Sequence, residues 1–258
     1  MWSLGDYQTF AAQLVWELGP VLVQAAGVRP GQRVLDIATG TGNAALRAAE
    51  AGASVVASDL TPEHFVAGHE VARDKGLALE WVEADAENLP FAGAAFDIVL
   101  SCLGAIFAPR HQRVADEMVR VCKQRGTIAM LNFTPEGLAA AFFEVFAPYM
   151  PPPRAGDLPP ILWGSEDHVA RLFGKRLALR TTRGSYVERA RSPQAYVDFF
   201  KRTFGPVVAI YQSLADTPQL VAELDRAFLK FAENSNTSAP GEPAEYRYEY
   251  LLVIGEKL

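Results

Sequence analysis

Cysteine is scarce in this chain of 258 residues: there are two, Cys102 and Cys122, 20 residues apart. No CxxC and no neighbouring His pair accompanies them, which excludes a disulfide-stapled scaffold and a Cys/His zinc site, and predicts reduced thiols in a cytoplasmic protein. No apolar run approaches the roughly 20 residues that a membrane-spanning helix needs. The first residues lack a basic stretch and are interrupted by Asp6 and Glu17, so no secretory signal is expected. Basic residues are in the minority, 24 Lys+Arg against 30 Asp+Glu, for a formal charge of −6. Nucleic acid and anionic membranes need a concentrated basic face and are therefore not expected partners.

What is present is the composition of a folded globular chain, 50% hydrophobic and 21% charged, with no internal repeat or low-complexity tract. Its length suits one large domain, or a domain with a subdomain, able to bury most of its apolar surface without disulfides or metal. Five short runs rich in β-branched residues recur: Arg33–Ala38, Ser54–Ser58, Leu79–Ala84, Phe96–Ser101 and Thr127–Phe133. Helical stretches alternate with them. Asn43–Ala51 is alanine-rich. Pro62–Lys75 opens on a Thr61 hydroxyl cap with Pro at its first position, and stops at Gly76. His111–Cys122 carries apolar residues at helical spacing. Such alternation predicts right-handed βαβ units around a parallel sheet.

Helix-compatible stretches, Tyr7–Leu18 and Pro20–Ala26, precede this core. Beyond residue 133 the pattern predicts helices over Gly137–Phe146, Asp167–Phe173, Ser192–Phe204 and Thr217–Glu233, and strands over Leu177–Glu188 and Glu245–Glu256.

The segment Val34-Leu35-Asp36-Ile37-Ala38-Thr39-Gly40-Thr41-Gly42 carries the most chemistry. Gly40 and Gly42 fall where a strand becomes a helix, and there glycine permits a tight turn and a close backbone approach to a ligand. Asp59 ends the second strand, 19 residues after Gly40, the usual spacing for a carboxylate that accepts hydrogen bonds from a ribose diol. Gly40-x-Gly42-x-x-Ala45 also satisfies a dinucleotide fingerprint, so the glycines alone do not choose the ligand. Asp36, four residues before Gly40, tips the choice. It would repel a pyrophosphate and suits a ligand that brings a cationic amine. Asp85 and Ser101 end further strands beside the same crevice, where open parallel sheets bind ligands.

The stretch Arg33–Asn132 resembles the core of class I S-adenosylmethionine-dependent methyltransferases, in particular the small-molecule subgroup of the ubiquinone and menaquinone biosynthesis enzymes. VLDIATGTG matches the first motif, VVASDLTPE the second, WVEADAENLPFAGAAFDIVLS the third and the segment ending GTIAMLNFTPEG the fourth. The resemblance implies a Rossmann-like doubly wound α/β sheet of seven strands, the last inserted antiparallel. Around it come a helical cover from residues 1–32, a cofactor-binding core over 33–133, and the rest of the sheet with a helical acceptor cap over 134–258. It implies that Asp36, Ala38, Thr39, Gly40, Gly42 and Asn43 surround the methionine portion of S-adenosylmethionine. Asp59 and Leu60 would then meet the ribose side, Asp85 and Ala86 the adenine, and Ser101 or Cys102 the sulfonium. Two departures stand out: Ala38 replaces the family's first glycine, and Gln124-Arg125-Gly126 replaces a Pro-Gly-Gly turn.

A general base is needed only where the acceptor must lose a proton. His111, shortly after the fourth strand, is the candidate; His64, His69 and His168 are expected at the surface. Tyr7, Trp16, Phe107, Tyr149 and Phe200 are candidates for the pocket of a small-molecule acceptor. The expected reaction moves a methyl group to an O, N or C nucleophile of a small, largely apolar metabolite. Alternatives are a cyclase or rearrangement enzyme that keeps the cofactor without methylating, an NAD(P)-dependent reductase, and a non-catalytic sensor of S-adenosylmethionine.

Overall fold

The computed structural model describes residues 1–258. Its strands are β1 (Arg33–Ile37), β2 (Ser54–Asp59), β3 (Leu79–Glu83), β4 (Phe96–Cys102), β5 (Cys122–Phe133), β6 (Leu177–Ala190) and β7 (Ala244–Lys257). They form one sheet in the order β3-β2-β1-β4-β5-β7-β6. The first five pair in parallel, and β7 runs antiparallel between β5 and β6. The sequence order reverses between β1 and β4, which opens a crevice at their carboxyl ends.

The helices are α1 (Tyr7–Phe10), α2 (Leu18–Ala26), α3 (Asn43–Glu50), α4 (Phe65–Asp74), α5 (His111–Val121), α6 (Leu138–Phe146), α7 (Glu166–Phe173), α8 (Pro193–Thr203), α9 (Gly205–Ser213) and α10 (Pro218–Ser235). A π-helical turn, Ala11–Val15, joins α1 to α2. Alternating side chains of β1 feed two cores. Val34 joins Leu22, Leu131, Phe142 and Phe228 on the face covered by α2, α3 and the cap helices. Leu35 and Ile37 join Val114, Met118 and Val169 on the face covered by α5 and α7. Full burial of each such side chain contributes about 1.5–3 kcal/mol.

Local chemistry sets the boundaries. Asp6 caps α1, accepting from Thr9 N at 3.1 Å and Thr9 Oγ1 at 2.6 Å. Ser192 caps α8 through Ala195 N at 3.1 Å. Thr61 does not act as the expected hydroxyl cap: its own N–H donates to Asp59 Oδ1 at 2.9 Å, and a 3-10 turn over Pro62–His64 leads into α4. The helix α9 was not expected, because Gly205-Pro206 reads as a stop; here proline instead occupies the first turn of a new helix.

Candidate active site

The β1–α3 loop is built on two left-handed glycines, Gly40 at φ +56° and Gly42 at φ +87°. Neither has room for a side chain. A Cβ on Gly40 would lie 2.8 Å from the Tyr7 hydroxyl, and one on Gly42 2.7 Å from the Trp81 ring. Asn43 then starts α3 and pins the loop to its surroundings, donating from Nδ2 to the Val15 carbonyl at 2.8 Å and to Cys102 Sγ at 3.7 Å.

Asp36 supports this loop from behind. Its Oδ2 accepts from Thr39 Oγ1 at 2.6 Å and from Ala45 N at 3.0 Å. The carboxyl is 1% exposed, its Oδ1 has no partner, and burial pushes its pKa up to about 7. Asp59, at the end of β2, ties the loop from the other side. It accepts from Gly40 N at 2.8 Å through Oδ2 and from Thr61 N at 2.9 Å through Oδ1. Burial raises its pKa, against the pull of these amides. Asp85 accepts from Glu87 N at 2.8 Å through Oδ1. Ser101 is buried and accepts from Ala105 N at 3.0 Å, a bond that shapes the turn after β4.

One cavity of about 280 Å³ runs along the carboxyl ends of the strands. Ala38, Thr39, Asn43, Asp59, Leu60, Asp85, Ala86 and Cys102 line it, as do Tyr7, Phe107 and Phe200. Asp36, Gly40, Gly42 and Ser101 do not; they act on the cavity through the loops they shape. Because β3-β2-β1 and β5-β7 lie on opposite sides of β4, the wall has two characters. Carboxylates and backbone turns gather at the β1–β3 end. Phe133, Phe142, Phe143, Phe200, Phe204 and Tyr248 gather at the β5–β7 end.

The amino-terminal segment closes the cavity from above. Tyr7 stacks on His64 with centroids 4.0 Å apart, and His64 Nε2–H donates to the Trp2 carbonyl at 3.0 Å. Trp2 rests on Phe107, centroids 4.4 Å apart. His64 is thus buried in the cavity wall, not at the surface as expected.

His111, the candidate base, does not line the cavity. It belongs to the α5–α7 core, outside the cavity, where its Nδ1 shares a hydrogen with His168 Nε2 at 2.9 Å and its ring lies 5.2 Å from Trp163. Burial pushes its pKa down to about 4, with His168 adding to the effect. His168, expected at the surface, is buried with it. Two acceptor candidates also fall outside. Trp16 lies under the Arg47 guanidinium, 4.8 Å from its ring, and Tyr149 ends a 3-10 turn after α6. Phe142, Phe143 and Tyr248 were not expected as wall residues. Nor was a role expected for Gly68, where a Cβ would meet the Trp81 ring at 2.2 Å; its absence lets α4 press against the glycine loop.

Residues 34–126 match a family described as a methyltransferase domain. Rv1403c of Mycobacterium tuberculosis is 49% identical over 227 residues, covering 87% of this chain and 83% of its own. The ubiquinone/menaquinone biosynthesis C-methyltransferase UbiE of Sinorhizobium fredii is 35% identical over 136 residues, which span 51% of this chain and 53% of that one. The crystal structure of the YcgJ protein from Bacillus subtilis shares the fold, with a TM-score of 0.64 at 19% identity over 93% of this chain and 98% of that one. The chain belongs to the class I S-adenosylmethionine-dependent methyltransferases. As a methyltransferase of this class it uses S-adenosylmethionine, and the reductase reading that Gly40-x-Gly42-x-x-Ala45 left open is set aside. The antiparallel β7 inserted beside β5 is the sheet that the resemblance implied. No helix of this methyltransferase is long and apolar enough to cross a membrane.

Proposed function

We propose that this methyltransferase acts on an O, N or C nucleophile of a small, largely apolar metabolite, held at the β5–β7 end of the cavity. The observation that carries the reading is the continuity of one cavity from the acidic strand ends to the aromatic wall. Bound S-adenosylmethionine supplies a methyl group on a sulfonium, and the chain's residues suit its parts. Each Asp59 oxygen accepts one backbone N–H and keeps a second lone pair for a ribose hydroxyl. Asp85 Oδ2 and the Ala86 backbone face the adenine. Leu60, 62% exposed at the rim, gives a base an apolar surface to cover. Ala38, Thr39 and Asn43, on the turn made by Gly40 and Gly42, take the methionine end, with Asp36 holding that turn. Cys102, steadied through the Ser101 turn, walls the sulfonium.

Tyr7, Phe107 and Phe200 then bound the acceptor. Residues 1–32 serve as cover, 33–133 as cofactor-binding core, and 134–258 as the rest of the sheet with the acceptor cap. Rate acceleration comes from holding nucleophile and methyl at attack distance in a dry site.

Isothermal titration with S-adenosylhomocysteine tests the donor site. Asp59→Ala is expected to weaken binding at least about tenfold, the loss of one hydrogen bond to a charged group. Unchanged affinity removes the ribose assignment. Mass spectrometry that finds no product heavier by one CH₂, with the cofactor bound, removes methyl transfer itself.

A further inference from the structure

The two ends of the cavity differ in charge as well as in shape. The wall at the β5–β7 end, Phe133, Phe142, Phe143, Phe200, Phe204 and Tyr248, holds no Lys, Arg, Asp, Glu or His. The charged groups and the imidazole of the wall, Asp59, His64, Asp85, Glu87 and Arg110, stand elsewhere. Glu87 is paired with Arg110, and both Asp59 oxygens carry backbone amides. His64 donates from Nε2 to the Trp2 carbonyl and stacks on Tyr7, and its Nδ1 has no partner. Burial pushes the Cys102 thiol up to about 12, with the nearby Asp36 charge adding to the effect. Burial also raises the Tyr7 and Tyr248 hydroxyls above the usual range, so all three stay protonated at neutral pH.

This wall constrains the acceptor. A nucleophile seated among these rings that must lose a proton before attack finds no carboxylate or imidazole beside it. One that arrives as an anion finds no cation to offset its desolvation. A neutral nucleophile meets neither obstacle. Its lone pair or π pair forms the bond to the methyl carbon, the C–S pair returns to sulfur, and the positive charge passes from sulfur to the acceptor. Ring faces attract a cation, most strongly when it is desolvated.

Building on the methyl-transfer reading above, we propose that the acceptor is a neutral apolar nucleophile that becomes cationic on methylation. Its reacting group is a tertiary amine or an electron-rich double bond, and the aromatic wall holds the charge that forms. An amine sheds its own proton to water before it enters, and its product keeps the charge as a quaternary ammonium. A double bond gives a carbocation, which loses a proton to water as the product leaves.

The test uses three probes of similar shape on the protein saturated with S-adenosylhomocysteine: phenyltrimethylammonium, tert-butylbenzene and benzoate. Titration calorimetry should find the cation bound about tenfold more tightly than its neutral isostere, and benzoate not bound. Phe143→Leu keeps the bulk and removes one ring. It should cut the advantage of the cation several-fold while leaving the affinity for tert-butylbenzene in place. A cation that fails to bind, or a preference for the neutral probe or for benzoate, overturns the proposal. Loss of S-adenosylhomocysteine binding would instead count against the donor site. Once a substrate is in hand, an amine shows kcat/KM rising with pH up to its own pKa, and a double bond shows a flat profile.

Discussion

The methyl of Ala38 occupies space that Gly104 leaves open. A Cβ on Gly104 would lie 2.7 Å from Ala38 Cβ and 2.0 Å from the Ala38 carbonyl oxygen. Ala38 itself sits at φ +52°, in the left-handed region that costs a side chain about 1–2 kcal/mol. The departure from the family's glycine is thus accommodated across the crevice, by a glycine that follows β4. Ala38→Gly is expected to stabilise the fold by about 0.5–1 kcal/mol, since relief of the backbone outweighs the added freedom of the unfolded chain. Gly104→Ala should destabilise it and weaken S-adenosylhomocysteine binding together. Denaturant melts of the two variants check this, and equal stabilities would refute the fit.

Asp36 links stability to pH. Its carboxyl is raised from 3.8 to about 7, by burial first and by the neighbouring Asp59 charge in a smaller part. Between those values the folded chain holds a proton that the unfolded chain releases. Stability from this group therefore falls as pH rises, by up to about 1.4 kcal/mol per unit, and levels off above pH 7. Asp36→Asn removes the titration. The stability of wild type relative to the variant should decline from about pH 4 to pH 7, as read by denaturation at several pH values. Parallel curves would mean that the carboxyl ionises freely.

The parts of this molecule that were legible in its sequence are those where the backbone makes a demand that one residue type answers. Gly40 and Gly42 advertise a left-handed turn, and the β-branched runs gave the parallel strands to within two residues, apart from the start of β5. That strand begins at Cys122, ahead of the expected Thr127, because Cys122 already pairs with Phe96; the chain then bulges through Gln124-Arg125-Gly126, with Arg125 at φ +60°, and regular pairing resumes at Thr127. The aromatic wall was legible only in part, at Phe107 and Phe200. Phe142 and Phe143 lie on α6, which is apolar on several faces, and only the docking of that helix decides which of its rings meet the cavity. The histidines were misjudged for the same reason. His64 and His111 stand at helix starts that face solvent by default, until the amino-terminal segment covers one and α7 the other.

His111 carries a linkage of opposite sign to that of Asp36. Its pKa is lowered from 6.5 to about 4 by burial first and then by His168, so the folded chain resists a proton that the unfolded chain accepts. The stability this provides is complete above pH 6.5 and is lost as pH falls toward 4. In His111→Phe, wild type should lose ground against the variant across that window. Methyl transfer in the variant should keep its kcat and its pH profile, because the imidazole stands outside the cavity. A profile that loses a titration near neutrality would return His111 to the chemistry.

Leu60 separates binding from folding. It is 62% exposed beside Asp59, at the rim of the cavity, so the folded chain gains little from its side chain. If an adenine ring covers it, the apolar surface is buried only on binding, worth about 1–1.5 kcal/mol for part of a leucine. Leu60→Ala should then weaken S-adenosylhomocysteine binding roughly tenfold while stability changes by less than about 0.5 kcal/mol. Leu60→Met should restore most of the affinity. Asp59→Ala behaves differently: Asp59 fastens Gly40 and Thr61 before any ligand arrives, so its loss should lower stability and affinity together. Titration calorimetry and denaturant melts on the same samples distinguish the two patterns. Leu60→Ala with full affinity would show that the base lies elsewhere.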